Sequence, residues 1–267
     1  MADTPLPHPA QRVVTGLARL ADSTARALDG ILTRAPGRFR ERLAQAPEDP
    51  AEGIVYAARA AQRTCEEARQ ELSGALASAL PKAVRAGAAL GTPGQQPPRG
   101  FLLPDLTRQH LARYHAQVWD GITGDLRREI TRRVRMAYAA GKTPEELAGE
   151  IEAYLSPVGP FRAAGGRARA VAHTELPRAA NLATLARMEE IAADFPRMRK
   201  RWVHARHNAR QPRPAHLAAD GQTVLHAERF RVGRHRPRYP NDPGLPLSER
   251  VFCGCLVAAV EPEDARD

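Results

Sequence analysis

Two cysteines one residue apart, Cys253 and Cys255, and six of the nine histidines, crowded between His173 and His235, are the side chains best suited to chemistry. Thiolate and imidazole are the usual ligands of zinc. A Cys-x-Cys pair can grip one ion, with His216 or His173 completing the shell, so a structural zinc is the cofactor this set could take. The spacing is not that of a zinc ribbon or finger, and buried cysteines also serve as small packing residues. On a strand, alternate residues share a face, so under either reading both thiols point one way.

Glu175 and His216 are the residue types of a general acid–base pair. The same two groups also satisfy each other as a buried hydrogen bond joining a helix to a hairpin, and that is the preferred reading. No nucleophile motif, phosphate-cradling glycine loop or zinc-protease signature accompanies them. An enzyme is therefore not expected. His204 and His207 are expected on the surface, and Arg213 is expected to pair with an acid.

Arg197, Arg199, Lys200 and Arg201, continued by Arg206, Arg210, Arg229, Arg231, Arg234, Arg236 and Arg238, form a candidate DNA-contacting surface. Residues 162 to 238 hold 17 Arg and Lys against 6 Asp and Glu, while the rest of the chain holds 23 against 24. The whole formal charge of +10 thus resides in one segment. Such a field favours nonspecific contact with double-stranded DNA, weakening steeply with salt. High-GC coding explains why 37 of the 40 basic residues are arginine, but not why acids thin out in one stretch. No recognition-helix pattern suggests base readout, and Trp119 and Trp202 read as core.

The elements that must position these groups are mainly helical. Aromatics are only 5% of the chain, too few for a large β core, and alanine is abundant. Val13, Leu17, Leu20 and Leu28 predict helix from Ala10 to about Ala46, broken by Ala46-Pro47-Glu48-Asp49-Pro50. Leu72, Leu76 and Leu80 continue helical spacing from Ala51, with Pro81 as an interruption or kink. Residues 91 to 100, without one apolar side chain, read as a linker. Helices are predicted from Asp105 to Trp119 and from Gly124 to Ala140, ended by Gly141. Thr143-Pro144-Glu145-Glu146 starts another, and a long one runs from Ala163 to Asp194 with a kink at Pro177. Trp202-Val203 reads as a strand, Asp220-Gly221 as a hairpin turn into Gln222–Leu225, and Arg250–Val260 as a last strand. The fold class expected is mainly α with a small α+β C-terminal domain, a long helix packed on a short antiparallel sheet. Its divisions are a helical region over 1–100, a helical connector over 101–160 and a basic domain over 161–267.

Three cysteines make no disulfide framework, and residues 1 to 9 lack the apolar core of a secretory signal, so folding in a reducing cytoplasm is expected. No stretch approaches the roughly 20 apolar residues that span a bilayer, and no membrane partner is expected.

The C-terminal order is distinctive. His173-Thr174-Glu175 on a helix is followed by Trp202, then Arg213-Pro214-Ala215-His216, Asp220-Gly221, Tyr239-Pro240-Asn241-Asp242-Pro243 and Cys253-Gly254-Cys255. Over about Arg127 to Val260 this resembles the phage Mu F-like head-morphogenesis family, the minor capsid proteins of many tailed phages. That family shows a Thr-Glu pair, a tryptophan strand, an Arg-x-x-His step, a "DG" turn and a terminal Asn-Cys-Arg-Cys. Here Phe252 and Gly254 replace its asparagine and arginine, and no aspartate follows Trp202. The structural motif carried over is therefore Thr174, Glu175, Trp202, Arg213, His216, Asp220 and Gly221. The resemblance implies virion assembly: incorporation into the procapsid through portal and capsid proteins, assistance in genome packaging or ejection, and a place in the head near the portal after synthesis in the host bacterium. Two alternatives are a particle-delivered toxin or metal-dependent hydrolase using Glu175 and His216, and a free nonspecific nucleic-acid-binding protein.

Overall fold

The computed structural model describes residues 8–92, 100–155, 162–204 and 213–260. Mainly helical, it carries one small sheet near its C-terminus, in agreement with the fold class expected. Five long helices come first: α1 (His8–Leu43), α2 (Pro50–Leu90), α3 (Asp105–Ala139), α4 (Pro144–Leu155) and α5 (Arg162–Ile191). After them come β1 (Arg199–Val203), the short α6 (Pro214–Ala218), β2 (Thr223–Leu225), the short α7 (Leu247–Arg250) and β3 (Leu256–Val260). The chain forms two compact units, each assembled from separated stretches.

One unit takes residues 25–77 and 112–155, with α5 up to Arg169. Its core gathers Phe39 and Leu43 from α1, Ala57, Ala60, Ala61 and Cys65 from α2, Ile130, Val134 and Ala137 from α3, and Leu147 and Ile151 from α4. The alanines admit close helix packing, which fits a chain poor in aromatics. Asp49 caps α2, its Oδ1 accepting from the Glu52 amide at 2.9 Å. The Thr143 and Glu146 side chains reciprocally accept from each other's amides at 3.2 and 2.8 Å, the capping box its sequence predicts. Gly141, at φ 69°, ends α3. Unlike the expectation, α3 is one helix through Gly121 and Gly124. A helical glycine costs only about 1 kcal/mol, too little to stop a helix that buries Trp119, Ile130 and Val134.

The other unit takes residues 8–24, 78–92, 100–111 and 170–260, less 205–212, which are outside the described residues. Here α2 crosses α5 at very close range. A Cβ on Gly87 would stand 2.0 Å from the Ala180 carbonyl oxygen, and one on Gly91 2.5 Å from that of Thr184. Glycine one turn apart is what lets the backbones meet, and Thr184 Oγ1 donates to the Gly87 carbonyl across the contact at 2.9 Å. Both α2 and α5 run unbroken through their prolines, Pro81 and Pro177, so Pro81 does not interrupt α2.

The sheet has the order β2-β1-β3, antiparallel throughout, with Arg201 opposite Thr223 and Trp202 opposite Val257. Asp220-Gly221 does lead into β2, with Gly221 at φ 79°. It is not a two-residue hairpin, because α6 lies between β1 and β2. The turn instead closes the ladder: Gly221 N donates to the Trp202 carbonyl at 3.0 Å, and Trp202 N to that of Gln222 at 2.9 Å. The last strand, Leu256–Val260, is shorter than the Arg250–Val260 expected: Arg250 closes α7 and Phe252 is left-handed at φ 57°.

Candidate metal centre

Pro214 opens α6, whose single turn places His216 inward, 2% exposed. Trp202 on β1 holds the imidazole edge-on, ring centroids 5.6 Å apart, and is itself held edge-on by Phe230 at 5.4 Å. Cys253-Gly254-Cys255 lies just before β3 rather than on it. Both thiols nonetheless face one side: each Sγ is 3.5 Å from His216 Nδ1. The three ligand atoms lie within 4.8 Å of one another, all three residues are buried, and together they could hold a metal ion.

The fourth candidate ligand, His173, is placed elsewhere. Its Nε2 lies 3.4 Å from Asp22 and its ring 6.1 Å from that of Phe252. Glu175 is buried on α5 with Arg178 Nη1 3.5 Å away. The carboxylate that meets His216 is Glu249, a residue sequence reasoning missed: its Oε2 stands 2.9 Å from His216 Nε2. Arg213 in turn stands 3.8 Å from the same oxygen and donates to the Val251 carbonyl at 2.7 Å. The Arg-x-x-His spacing thereby has a physical sense. It brings both side chains to one carboxylate oxygen, Arg213 at 3.8 Å and His216 at 2.9 Å.

Two buried asparagines grip the Cys-Gly-Cys backbone. Asn181 on α5 donates to the carbonyls of Cys255 (3.1 Å) and Pro240 (3.0 Å) and accepts from Val257 N (2.9 Å). Asn241 donates to those of Cys253 and Thr174, both at 3.2 Å, from a left-handed conformation at φ 68°. Asparagine tolerates that conformation better than most residues. Thr174 Oγ1 accepts from Phe252 N at 2.9 Å. The Asn-Asp pair between prolines was a visible turn signal for Asn241; nothing in the pattern of α5 marked Asn181.

Electrostatics favour a thiolate here. A hydrogen bond from Cys255 and the adjacent His216 hold the Cys253 thiol well below the ordinary cysteine range, against a desolvation that opposes it. Cysteine, histidine and glutamate in line also describe a nucleophile with its base and orienting acid. Cys253 is 2% exposed, and the second thiol, equidistant from the imidazole, has no part in such a triad. Ligation uses both.

The arginine run divides. Arg197, Arg199, Arg229, Arg231, Arg234, Arg236 and Arg238 are exposed and Arg201 is half-buried, whereas Arg206, Arg210 and His207 lie outside the described residues. Lys200 does not belong to the surface. At 0% exposure it takes an inward position on β1, donating to the Arg238 carbonyl at 2.9 Å with its ammonium 5.2 Å from the Phe230 ring centre. Burial, then the cations of Arg238 and Arg229, lower its pKa to about 8. His204, expected outside, is buried, its amide donating to Asp220 Oδ1 at 2.8 Å. Trp119 and Trp202 are both fully buried.

No known family profile matches the chain, and no solved structure does. It is similar to "Uncharacterized protein YqbB" of Bacillus subtilis (strain 168), at 32% identity over 97 residues. That stretch covers 35% of this chain and 30% of that protein, so the likeness spans less than a third of the relative's length. No helix among the described residues is long and apolar enough to cross a membrane.

Proposed function

We propose that the chain is a minor capsid protein of a tailed-phage head, of the Mu F-like kind, whose C-terminal unit is stapled by a structural zinc ion. The observation that carries this reading is convergence. Thr174, Arg213, Asn241 and His216, members of a motif series scattered along the chain, all contact the short turn from Val251 to Cys255. Unrelated motifs matched by accident have no reason to meet at one turn. On this reading the protein joins the procapsid beside the portal, within the host cytoplasm, and remains in the head.

The donor set suits zinc. Bonds of about 2.0–2.1 Å to nitrogen and 2.3 Å to sulfur at a tetrahedral angle give N···S edges of about 3.5 Å, the separation found twice here. Glu249 would accept from the ring N–H opposite the metal, the outer contact that fixes the imidazole tautomer. Such an ion ties α6 to the segment entering β3, and the described residues supply three of its four ligands. The exposed arginines contact DNA phosphates without reading sequence.

Co-expression with the portal protein of the same phage tests the main reading. Capture with the portal and presence in particles are expected; a chain that ignores the portal and is missing from particles ends it. Elemental analysis should find one zinc per chain. Zinc-free protein, with Cys253→Ser folding normally, removes the metal.

A further inference from the structure

The helical unit carries a basic surface of its own, although the charge balance along the sequence placed all the excess in residues 162 to 238. On α3, Arg127, Thr131 and Arg135 form one row four residues apart, and Arg128, Arg132 and Met136 form the row beside it. These six side chains line one shallow depression with no acid among them. All four arginines are exposed. Arg128 and Arg132 lean on Asp125 and Glu129, each three residues back along the same helix. Arg127 and Arg135 have no ion-pair partner among the described residues, and Met136 is 58% exposed.

We infer that this face of α3 binds the phosphate backbone of duplex DNA, a second contact surface that rests on the DNA-binding part of the proposed function. From Arg127 to Arg135 the helix rises about 12 Å, over which a duplex presents roughly seven phosphate charges. Four guanidiniums and the Thr131 hydroxyl are the donor types that position a protein on that backbone. An acidic protein partner fits less well. Protein interfaces take their energy from a desolvated aromatic or aliphatic centre, and among the described residues the only apolar side chain lining the depression is Met136.

The experiment compares wild type with a variant carrying Arg127→Ala, Arg128→Ala, Arg132→Ala and Arg135→Ala, using a mixed-sequence DNA duplex over a range of salt. Alanine at exposed helical positions should preserve the fold, which circular dichroism and melting verify. Each lost phosphate contact removes about 0.9 from the slope of log affinity against log salt. A fall of about 3 to 4 in slope is expected, with weakening of tenfold or more at low salt. An unchanged slope in a folded variant overturns the inference and leaves the C-terminal arginines as the DNA surface. If the wild type itself does not bind, the DNA-binding reading falls and this surface with it. Retained DNA affinity together with lost binding to polyglutamate overturns it in favour of an acidic protein partner.

Discussion

The helical unit and the C-terminal part of the other unit solve the same problem in opposite ways. In the helical unit the backbone satisfies itself, so its core needs only apolar and small side chains, from Phe39 to Ile151. Its polar links, such as Arg38 to Glu71 and Arg42 to Glu67, are half-exposed, where an ion pair contributes about 0–1 kcal/mol. Around β3 little of the backbone is regular and much is buried, so carbonyls at Cys253, Cys255 and Pro240 depend on single side chains. Where loops are buried, individual polar residues carry the structure; where helices are packed, hardly any one of them does.

The hardest test of that contrast is the metal centre. If zinc joins α6 to the segment before β3, its removal should cost on the order of 5 kcal/mol or more, since structural sites commonly contribute as much to folding. Cys253→Ser, Cys255→Ser and His216→Ala should each lose bound zinc and melt at markedly lower temperature, and a chelator should reproduce this in the wild type. Glu249→Gln should keep the metal but weaken it by about 10- to 100-fold, the usual effect of an outer-shell partner. Competition with a chromogenic chelator reads both.

Asn181→Ala comes next. It strands the amide of Val257 and the carbonyls of Cys255 and Pro240, each costing about 1–3 kcal/mol when buried without a partner. Roughly 3 kcal/mol or more should be lost in urea titrations. Arg42→Ala in the helical unit should cost less than about 1 kcal/mol; equal losses would erase the contrast. Gly87→Ala tests the helical half of the C-terminal unit. A methyl 2.0 Å from the Ala180 carbonyl oxygen must push α2 off α5, for about 1–3 kcal/mol. The same change at Gly74, which has open space around it, should be neutral or stabilising.

These cases also explain what was legible in the sequence. Helical spacing, the Thr143–Glu146 box and the Gly141 stop are local signals, and local physics fulfils them. The break within α3 was misjudged because two glycines weigh little against Trp119 and Ile130 buried on the same helix. Cys253, Cys255 and His216 were recognised as one ligand type, but spacing alone could not choose between His216 and His173. That choice depends on which segment folds over the thiols, a long-range fact. Glu249 and Asn181 were illegible for the same reason, since their partners lie 33 and 59 or more residues away. Lys200 shows the converse error: composition counted its charge, and strand alternation buried it.

Burial of that lysine has a pH signature. Its folded pKa is about 8, below the 10.5 of an ordinary lysine. Below pH 8 both states are protonated and the folded protein bears the full cost of the buried cation. As pH rises from 8 to 10.5 the folded state sheds the proton first, so stability increases. The gain should be about 1–2 kcal/mol, allowing for relaxation around the ammonium. Lys200→Met keeps the stem in place without the charge. It should abolish the rise between urea midpoints at pH 7.5 and 9.5; a rise that survives would assign it to another group.

The smallest effect concerns Phe252, which stands where the proposed Mu F-like reading would have asparagine. Phe252 stands at φ 57°, in left-handed backbone that asparagine accepts and a bulky aromatic resists. Its ring is 46% exposed, so little burial repays the strain. What it does make is the contact with His173 at 6.1 Å, while its amide donates to Thr174 whatever the side chain. Phe252→Asn should therefore stabilise by about 0.5–1 kcal/mol, the scale of one relieved left-handed residue less a partly buried contact. A rise of a few degrees in melting temperature is the expected reading. If the variant melts lower, the ring against His173 outweighs the strain, and the contrast sharpens: even an exposed side chain beside the centre would then help hold the turn that carries the thiols.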